Sequence, residues 1–135
     1  MIFQVISMPE ETKALTGKFV KKMGFAPEIM HIAAEIDPKL TQFYDFCDKV
    51  VQNDGALPSK FKLLLIMAMG AQRHCKECVV SAMRGAYNKG ATEEEILEAV
   101  RAIAVAGGAP AITACKDALV MLKEKSFDKA GCGKR

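Results

Sequence analysis

The sequence predicts an all-α domain on three observations. Half of its 135 residues are hydrophobic, which is enough for a sizeable core. Aromatic residues make up only 7% and tryptophan is absent, a composition typical of closely packed helices rich in Ala and Met. Apolar residues recur at helical spacing between recognisable helix ends, and strand signals are weak and confined to residues 1–6. The length suits one domain, assigned to residues 1–125, with a flexible polar tail at 126–135.

The first two helices are predicted from prolines and acidic first turns. The first begins near Pro9, with Ser7 as its candidate N-cap, and runs to about Lys22. A short second helix follows Pro27. We expect the second helix to turn one apolar face inward. That face consists of Ile29, Met30, Ile32 and Ala33.

A third helix is predicted between Lys39 and about Gln52. Asp37 is its capping residue, and Pro38 suits the first helical position. Its apolar residues recur at helical spacing, so we expect them to be buried. They are Leu40, Phe43, Phe46, Cys47 and Val50.

The segment from Phe61 to Ala71 is apolar on nearly all sides, so it is predicted to be the central buried helix. The next helix carries Cys75 and Cys78 and continues to about Asn88. Gly90 then occupies the position where a left-handed glycine commonly ends a helix.

The C-terminal half contains a capping box and a helix breaker. Thr92 and Glu95 match the Ser/Thr-x-x-Glu pattern of a helix start. The run from Gly107 to Pro110 is predicted to break that helix, and Pro110 to begin a last helix that ends near Lys125. The apolar stripe between the two signals comprises Ile96, Ala99, Val100, Ile103 and Ala104.

Composition and charge exclude several classes of protein. The net charge of +3 is small and evenly spread, which argues against nucleic-acid binding. The longest apolar runs, 63–71 and 102–112, are shorter than the ~20 residues of a membrane span. The N-terminus lacks the features of a signal peptide, so a cytoplasmic location without membrane contact is expected. Five cysteines without regular spacing argue against a secreted disulfide scaffold.

Cys75 and Cys78 form the most specific chemical motif of the chain. On a helix, residues three apart share a face at about 5–6 Å, which a disulfide tolerates. The residues alone leave three interpretations open: a redox pair, half of a zinc site, or two structural cysteines. Zinc needs two more ligands, and we expect no metal because the remaining candidates are scattered. They are Cys47, Cys115, Cys132, His31 and His74.

Residues near the pair could tune its chemistry. If a helix restarts at His74-Cys75, Cys75 gains from the positive helix N-terminus, and Arg73 and Lys76 add positive charge. His74 is a candidate proton donor or acceptor, or simply a histidine in solvent at a helix junction. Glu77 between the cysteines should point into solvent.

The other titratable residues have plainer interpretations. His31 is expected to be half-buried packing, and Glu35 a solvated charge at a helix end. Cys47 and Cys115 fall on apolar stripes and are expected in the core. Cys132 is expected to be an exposed thiol of the tail.

Several short motifs between Gly55 and Pro110, with two more upstream, resemble the carboxymuconolactone decarboxylase family in its alkyl hydroperoxidase D-like branch. The resemblance covers most of the chain. The motifs are Ala26-Pro27-Glu28, Asp37-Pro38-Lys39-Leu40, Gly55-Ala56-Leu57-Pro58-Ser59-Lys60, Cys75-x-x-Cys78-Val79-Val80, Arg84-Gly85-Ala86, Gly90-Ala91-Thr92-Glu93-Glu94-Glu95-Ile96 and Gly107-Gly108-Ala109-Pro110.

The resemblance implies an all-helical homo-oligomer, a trimer or a hexamer, with sites near subunit contacts. It also implies that the cysteine pair reduces peroxides or passes electrons between thiol proteins. The electrons would come from a donor protein that the sequence does not identify. In that branch the second cysteine, here Cys78, attacks peroxide, and the first, here Cys75, closes the disulfide. This order reverses the one that the helix N-terminus favours, and on the strength of the resemblance Cys78 is assigned as the attacking thiol.

Two positions depart from the family pattern. The proton relay of that branch has a glutamate twelve residues before the first cysteine, where this chain has Leu63, and a histidine four residues after the second, where it has Ala82. Neither side chain can move a proton, which leaves His74 as the nearest candidate. Thiol–disulfide exchange survives this loss better than peroxide reduction, because it depends mainly on thiol pKa and access.

The sequence therefore predicts an oligomeric thiol oxidoreductase without metal, flavin or other cofactor. Its catalytic residues would be Cys78 and Cys75, with His74 as the proton-transfer candidate, and its substrate a peroxide or an oxidised thiol. The alternatives are a decarboxylase- or lactone-processing enzyme of the same fold acting on a small carboxylated substrate, and a non-catalytic oligomer that binds or senses redox state.

Overall fold

A computed structural model of the chain describes residues 10–23 and 28–127. Within these ranges it contains seven helices and no strand, so the all-α prediction is confirmed. The helices are α1 (Glu10–Met23), α2 (Glu28–Ile36), α3 (Lys39–Gln52), α4 (Ser59–Gln72), α5 (Lys76–Asn88), α6 (Glu93–Ala114) and α7 (Lys116–Lys123). The predictions about Ser7, the first six residues, Cys132 and residues 128–135 lie outside the described residues.

The central helix of the fold is α5, not α4 as the sequence predicts. α5 packs against α1, α4, α6 and α7, and its residues from Val79 to Ala86 are buried except for the half-buried Ser81. α4 buries the face that contacts α5 and α6, but its outer face is exposed. That outer face carries Phe61, Leu65, Ile66 and Met69. A helix whose residues are apolar on all sides can therefore be buried at the centre of the fold, but the helices that pack against it decide whether it is.

Two glycines bring α4 and α5 together as an antiparallel hairpin. A Cβ atom placed on Gly70 would lie only 2.9 Å from the Cβ atom of Cys78. A Cβ atom on Gly85 would lie 3.0 Å from a Cδ atom of Leu63. Such contacts are shorter than ordinary carbon–carbon packing. The contact argues for glycine most strongly at Gly70, directly beneath the cysteine pair, whereas at Gly85 a larger residue would require the Leu63 side chain to shift.

α3 differs most from its prediction, because none of its residues is buried. Phe43 and Phe46 are each 65% exposed, and Leu40 and Val50 are also exposed, whereas Cys47 is half-buried. The helix bounds and the cap are as predicted, since the Asp37 carboxylate accepts a hydrogen bond from the Lys39 amide at 3.0 Å. The apolar face is present, but no other described element covers it.

The prediction of which residues α2 buries is confirmed in part. Met30 and Ala33 are buried as expected, but Ile29 and Ile32 are exposed and Ala34 is buried in their place. α2 packs only against α1 and α3 among the described helices, so only one narrow face is covered.

The C-terminal helices confirm most of the local signals, although the last helix, α7, begins at Lys116 and not at Pro110, which lies within α6 just after the kink. Thr92 and Glu95 form both hydrogen bonds of a capping box, and Gly90 adopts a left-handed backbone with φ 86°. Gly108 (φ 65°, ψ −158°) kinks α6 where the sequence predicts a break. The stripe is confirmed in part, because Ile96 and Ile103 are buried whereas Ala99, Val100 and Ala104 are half-buried.

The domain extends beyond its predicted end at residue 125. Ser126 and Phe127 are both buried, and the Phe127 ring lies 5.6 Å from the Tyr87 ring between centroids. The turn that brings them back to the core has Lys125 in a left-handed conformation, with φ 51°. A lysine carries little sequence signal for such a turn, so the polar composition suggested a tail instead.

α6 also corrects the prediction that no segment could span a membrane. Among the described helices it is long and apolar enough to do so, by length and composition alone. The prediction considered only uninterrupted apolar runs, and the charged Arg101 limits the run in this helix to residues 102–112. Three glutamates in the first turn, the kink at Gly108 and the burial of Ile96 and Ile103 against the core are features of a folded-domain helix.

Candidate redox site at the α4–α5 junction

Cys75 and Cys78 are joined by a disulfide, with their Cα atoms 5.2 Å apart. This agrees with the separation that the sequence spacing predicts. Both residues are only half-buried. The bond is therefore accessible from solvent, and it needs no movement of the backbone to form.

The backbone at the end of α4 positions the first cysteine. The His74 amide donates to the carbonyl of Ala71 at 3.0 Å, and the Cys75 amide donates to the carbonyl of Gly70 at 3.0 Å. These two bonds form a Schellman motif, with His74 at the left-handed position (φ 56°) that glycine usually occupies. The first structural role of His74 is thus to make this turn, and the motif holds the Cys75 backbone against α4.

Cys75 is the N-cap of α5. Its backbone is extended (φ −88°, ψ 92°), and its Sγ atom accepts a hydrogen bond from the Cys78 amide at 3.3 Å. The sulfur therefore occupies the place of a capping oxygen, at the positive end of a 13-residue helix. Cys78 lies three positions later, inside the first turn. This is the helix restart that the sequence predicts.

Charged side chains surround the pair on the solvent side. Arg73, His74, Lys76 and Glu77 are all exposed, so the pair lies beside two cations, one carboxylate and one imidazole. The exposure of Glu77 agrees with its prediction. No hydrogen bond joins the His74 side chain to another residue of the described chain, and its imidazole faces water.

The two positions that depart from the expected proton relay are part of the core. Leu63 is 1% exposed and Ala82 is 2% exposed. Leu63 packs on Gly85 of the facing helix. The hairpin contains apolar packing where a relay would need two titratable groups.

The other cysteines and candidate ligands among the described residues do not join the pair. Cys115 is buried in the core as predicted, where burial raises the pKa of its thiol and its Sγ donates to the Ala111 carbonyl at 3.4 Å. His31 is half-buried and Glu35 exposed, as expected, and both lie on α2, which contacts neither α4 nor α5. Within the described residues no group of three or more His, Cys, Asp or Glu could hold a metal ion.

A groove of about 740 Å³ runs between α4 and α6 and ends at Gln72 and Arg73, just before Cys75 in the chain. The sequence did not indicate it, because α4 was expected to be covered on all sides. Its lining contains no thiol, imidazole or carboxylate. The lining residues are Phe61, Leu64, Leu65, Ala68, Met69, Gln72, Arg73, Ala99, Ala102, Ile103 and Ala106.

The sequence also did not predict the burial of Arg84. This residue lies on α5, is only 5% exposed, and its Nε and Nη1 atoms have no hydrogen-bond partner among the described residues. Burying charged groups without partners is costly. The available signal was a charged residue within a run of small and apolar ones, Val79 to Ala86, which is unusual for a central helix.

Comparisons with known proteins agree with this architecture. The profile of the carboxymuconolactone decarboxylase family matches residues 39–120. A protein of Paracoccus denitrificans, named uncharacterized protein 4 in the cox locus, is 31% identical over 119 residues, which are 88% of this chain and 94% of that protein. A crystal structure of a protein from Burkholderia xenovorans LB400, provisionally named a carboxymuconolactone decarboxylase, superposes on this chain with a TM-score of 0.66 and is 25% identical in sequence. The superposition covers 87% of this chain and 95% of the Burkholderia chain.

Proposed function

The chain belongs to the carboxymuconolactone decarboxylase family, and on that premise we propose that it is a thiol oxidoreductase of the alkyl hydroperoxidase D-like kind. It cycles between a Cys75–Cys78 dithiol and disulfide, accepts electrons from a thiol donor and passes them to a peroxide or a disulfide. The single observation that carries this proposal is the half-buried disulfide at the start of α5. A dithiol stores two electrons by itself, so this chemistry needs no metal or flavin.

The surroundings of the pair support a reactive rather than a structural disulfide. Reactive cysteines occur at helix N-termini and beside basic residues, where the thiolate is stabilised, whereas structural cysteines are buried and inert. Cys75 caps α5 and has Arg73 and Lys76 as neighbours, in contrast to Cys115 in the core. A reducing cytoplasm is the compartment in which such a pair would turn over.

Thiol titration tests this proposal. The reduced protein is treated with hydrogen peroxide or oxidised glutathione, and free thiols are counted before and after. We expect the Cys75–Cys78 pair to account for a reversible loss of two thiols per chain, which persists in Cys115→Ser as the matched control. Cys75→Ser and Cys78→Ser each keep one thiol of the pair, so neither can form the internal disulfide and each can lose at most one thiol there, as a mixed disulfide. If the pair stays reduced under both challenges, the proposed function is wrong.

Exposed apolar residues on α3 support a homo-oligomer, a trimer or a hexamer as the resemblance implies. A soluble chain rarely leaves a contiguous apolar surface uncovered, and α3 exposes Leu40, Phe43, Phe46 and Val50. The test is the mass in solution, measured by light scattering during size-exclusion chromatography. Phe43→Glu with Phe46→Glu should dissociate the oligomer, and Val105→Glu, at an exposed site of α6, should not. An unchanged mass in the double variant would exclude this surface as the interface.

A second candidate function is favoured by the α4–α6 groove. The groove is apolar apart from Gln72 and Arg73, so it suits a small apolar carboxylate paired with the guanidinium. It offers no acid or base for a decarboxylation, which makes this candidate the weaker one. Calorimetric titration with aliphatic and aromatic carboxylates, on the chain and on Arg73→Met, would support it only if the substitution abolishes binding.

A further inference from the structure

Resting on the proposed function, we propose that Cys75, not Cys78, is the attacking thiol of this chain, and that the substrate it attacks is a disulfide rather than a peroxide. The two parts rest on different observations. Two structural grounds, the capping bond of Cys75 and the packing of Cys78, support Cys75 as the attacking thiol. The choice of substrate depends on whether a proton donor lies near the pair.

The first ground is the capping bond of Cys75. Its Sγ atom accepts the Cys78 amide at 3.3 Å at the N-terminus of α5. After reduction, the same amide and the same helix end face a sulfur that can carry a full negative charge. A helix N-terminus stabilises a thiolate, as it stabilises other anions. The Schellman motif at Gly70 and Ala71 holds the Cys75 backbone in place, so this geometry does not depend on the disulfide alone.

The second ground is the packing of Cys78. Its Cβ atom lies against Gly70 of α4, so close that a methyl group there would be 2.9 Å away. The next residue, Val79, is fully buried. One turn further along, the position that would reach back to the Cys78 sulfur is Ala82, also buried. The helix N-terminus and the Cys78 amide act on the Cys75 sulfur, and the buried side chains of Val79 and Ala82 offer Cys78 no comparable stabilisation, which suits a thiol that attacks only the adjacent Cys75 sulfur.

The choice of substrate follows from the leaving group. When a thiolate attacks a disulfide, the group that leaves is another thiolate, which is stable near neutral pH without a proton. When it attacks a peroxide, the leaving group is an alkoxide or hydroxide, whose conjugate acid is far weaker than a thiol, so an acid must supply a proton. Leu63 and Ala82 supply none, and the His74 side chain is in solvent.

The reaction balances as two exchanges. The Cys75 thiolate attacks a substrate disulfide, forms a mixed disulfide and releases the first substrate thiolate. The Cys78 thiol loses its proton to water and attacks the Cys75 sulfur, which forms the Cys75–Cys78 bond and releases the second thiolate. The two released thiolates take up the two protons of the protein dithiol. The protein loses two electrons and the substrate gains them, and a dithiol donor reverses the process.

The first arm of the test identifies the attacking cysteine. In a background of Cys47→Ser and Cys132→Ser, which leaves only the buried Cys115, reduced Cys78→Ser and Cys75→Ser are mixed with oxidised glutathione. Mass spectrometry follows the mixed disulfide. We expect Cys75 to form it roughly tenfold faster than Cys78. A faster reaction at Cys78 would overturn the assignment.

A second measurement avoids the substitutions in case they disturb the fold. The reduced chain with both cysteines is labelled briefly with iodoacetamide at mildly acidic pH and mapped by peptide mass. Cys75 should be labelled ahead of Cys78, and the reverse order would contradict the proposal.

The second arm compares substrates on the same reduced protein. The second-order rate constant for oxidation by glutathione disulfide should exceed those for hydrogen peroxide and tert-butyl hydroperoxide by roughly tenfold. A faster reaction with either peroxide would overturn the choice of substrate while leaving the redox function intact. A pair inert to all three reagents would instead contradict the proposed function itself.

Discussion

The α4–α5 hairpin and the outer helix α3 have opposite relations between sequence and burial. α3 has a clean apolar stripe, yet no residue of it is buried. α5 carries Ser81 and Arg84 among its apolar residues, yet it is the central helix. The difference teaches that periodicity identifies a helix and the face it prefers to bury, whereas the elements that pack against the helix decide whether the face is covered.

The largest expected effect comes from comparing a buried residue of α5 with an exposed apolar residue of α3. Met83→Ala in α5 should lower the free energy of unfolding by about 2–5 kcal/mol, because it leaves a cavity at a fully buried site. Phe43→Ala in α3 should change it by less than about 1 kcal/mol in the dissociated chain. Urea denaturation at low protein concentration checks both values. A loss at Phe43 that grows with protein concentration would place this face in a subunit contact.

The next comparison uses glycines. Gly70→Ala would push a methyl group against Cys78 and should destabilise the hairpin by about 1–3 kcal/mol. Gly17→Ala, in the helix α1 with open space around it, should stabilise by about 0.5–1 kcal/mol. Thermal denaturation of the oxidised protein measures both. Equal shifts for the two variants would mean that the hairpin is less tightly packed than these contacts require.

A smaller effect is expected at the left-handed residues that end the hairpin helices. His74→Gly should raise the free energy of unfolding by about 0.5–1 kcal/mol, because glycine adopts a positive φ without a Cβ clash. Gly90→Ala should lower it by a similar amount for the opposite reason. If His74→Gly is destabilising, the imidazole contributes a contact that outweighs its backbone strain.

The smallest effect concerns the ion pair that ties the start of α4 to the start of α6. Lys60 Nζ lies 2.7 Å from a Glu95 carboxylate oxygen. The hydrogen bond from Lys60, followed by that from the Thr92 amide, lowers the pKa of Glu95 below its ordinary 4.5. The stabilisation is therefore complete above pH 4.5 and is lost as the pH falls through the lower folded-state value.

Denaturation curves between neutral and acidic pH test this linkage. Glu95→Gln should be less stable than the parent chain at neutral pH, and the gap should narrow below pH 4.5. Glu98→Gln, at an exposed position of the same helix, is the control. A gap that stays constant with pH would assign the loss to the capping box rather than to the charge.

The candidate site was largely predictable, because its signals are local. The spacing of Cys75 and Cys78 predicted a bond, and the helix restart at Cys75 is confirmed. The left-handed turn at His74 was not predicted, since histidine there carries far less signal than Gly90. The burial of Leu63 follows the prediction of a buried helix from Phe61 to Ala71, whereas the burial of Ala82 was not predicted, because it depends on how closely α4 and α5 approach through Gly70 and Gly85.

Local sequence signals were enough to predict most of the helices and their ends and to single out the cysteine pair, whose chemistry they left open between redox, zinc and structural roles. The capping box at Thr92, the break at Gly108 and the spacing of Cys75 and Cys78 each depend on hydrogen bonds or bonds between residues a few positions apart. Only the tertiary structure decided that α5 is central, that α3 exposes its apolar face and that a groove opens beside α4. Burial depends on contacts between segments far apart in the chain, and an apolar face has the same pattern whether or not another helix covers it.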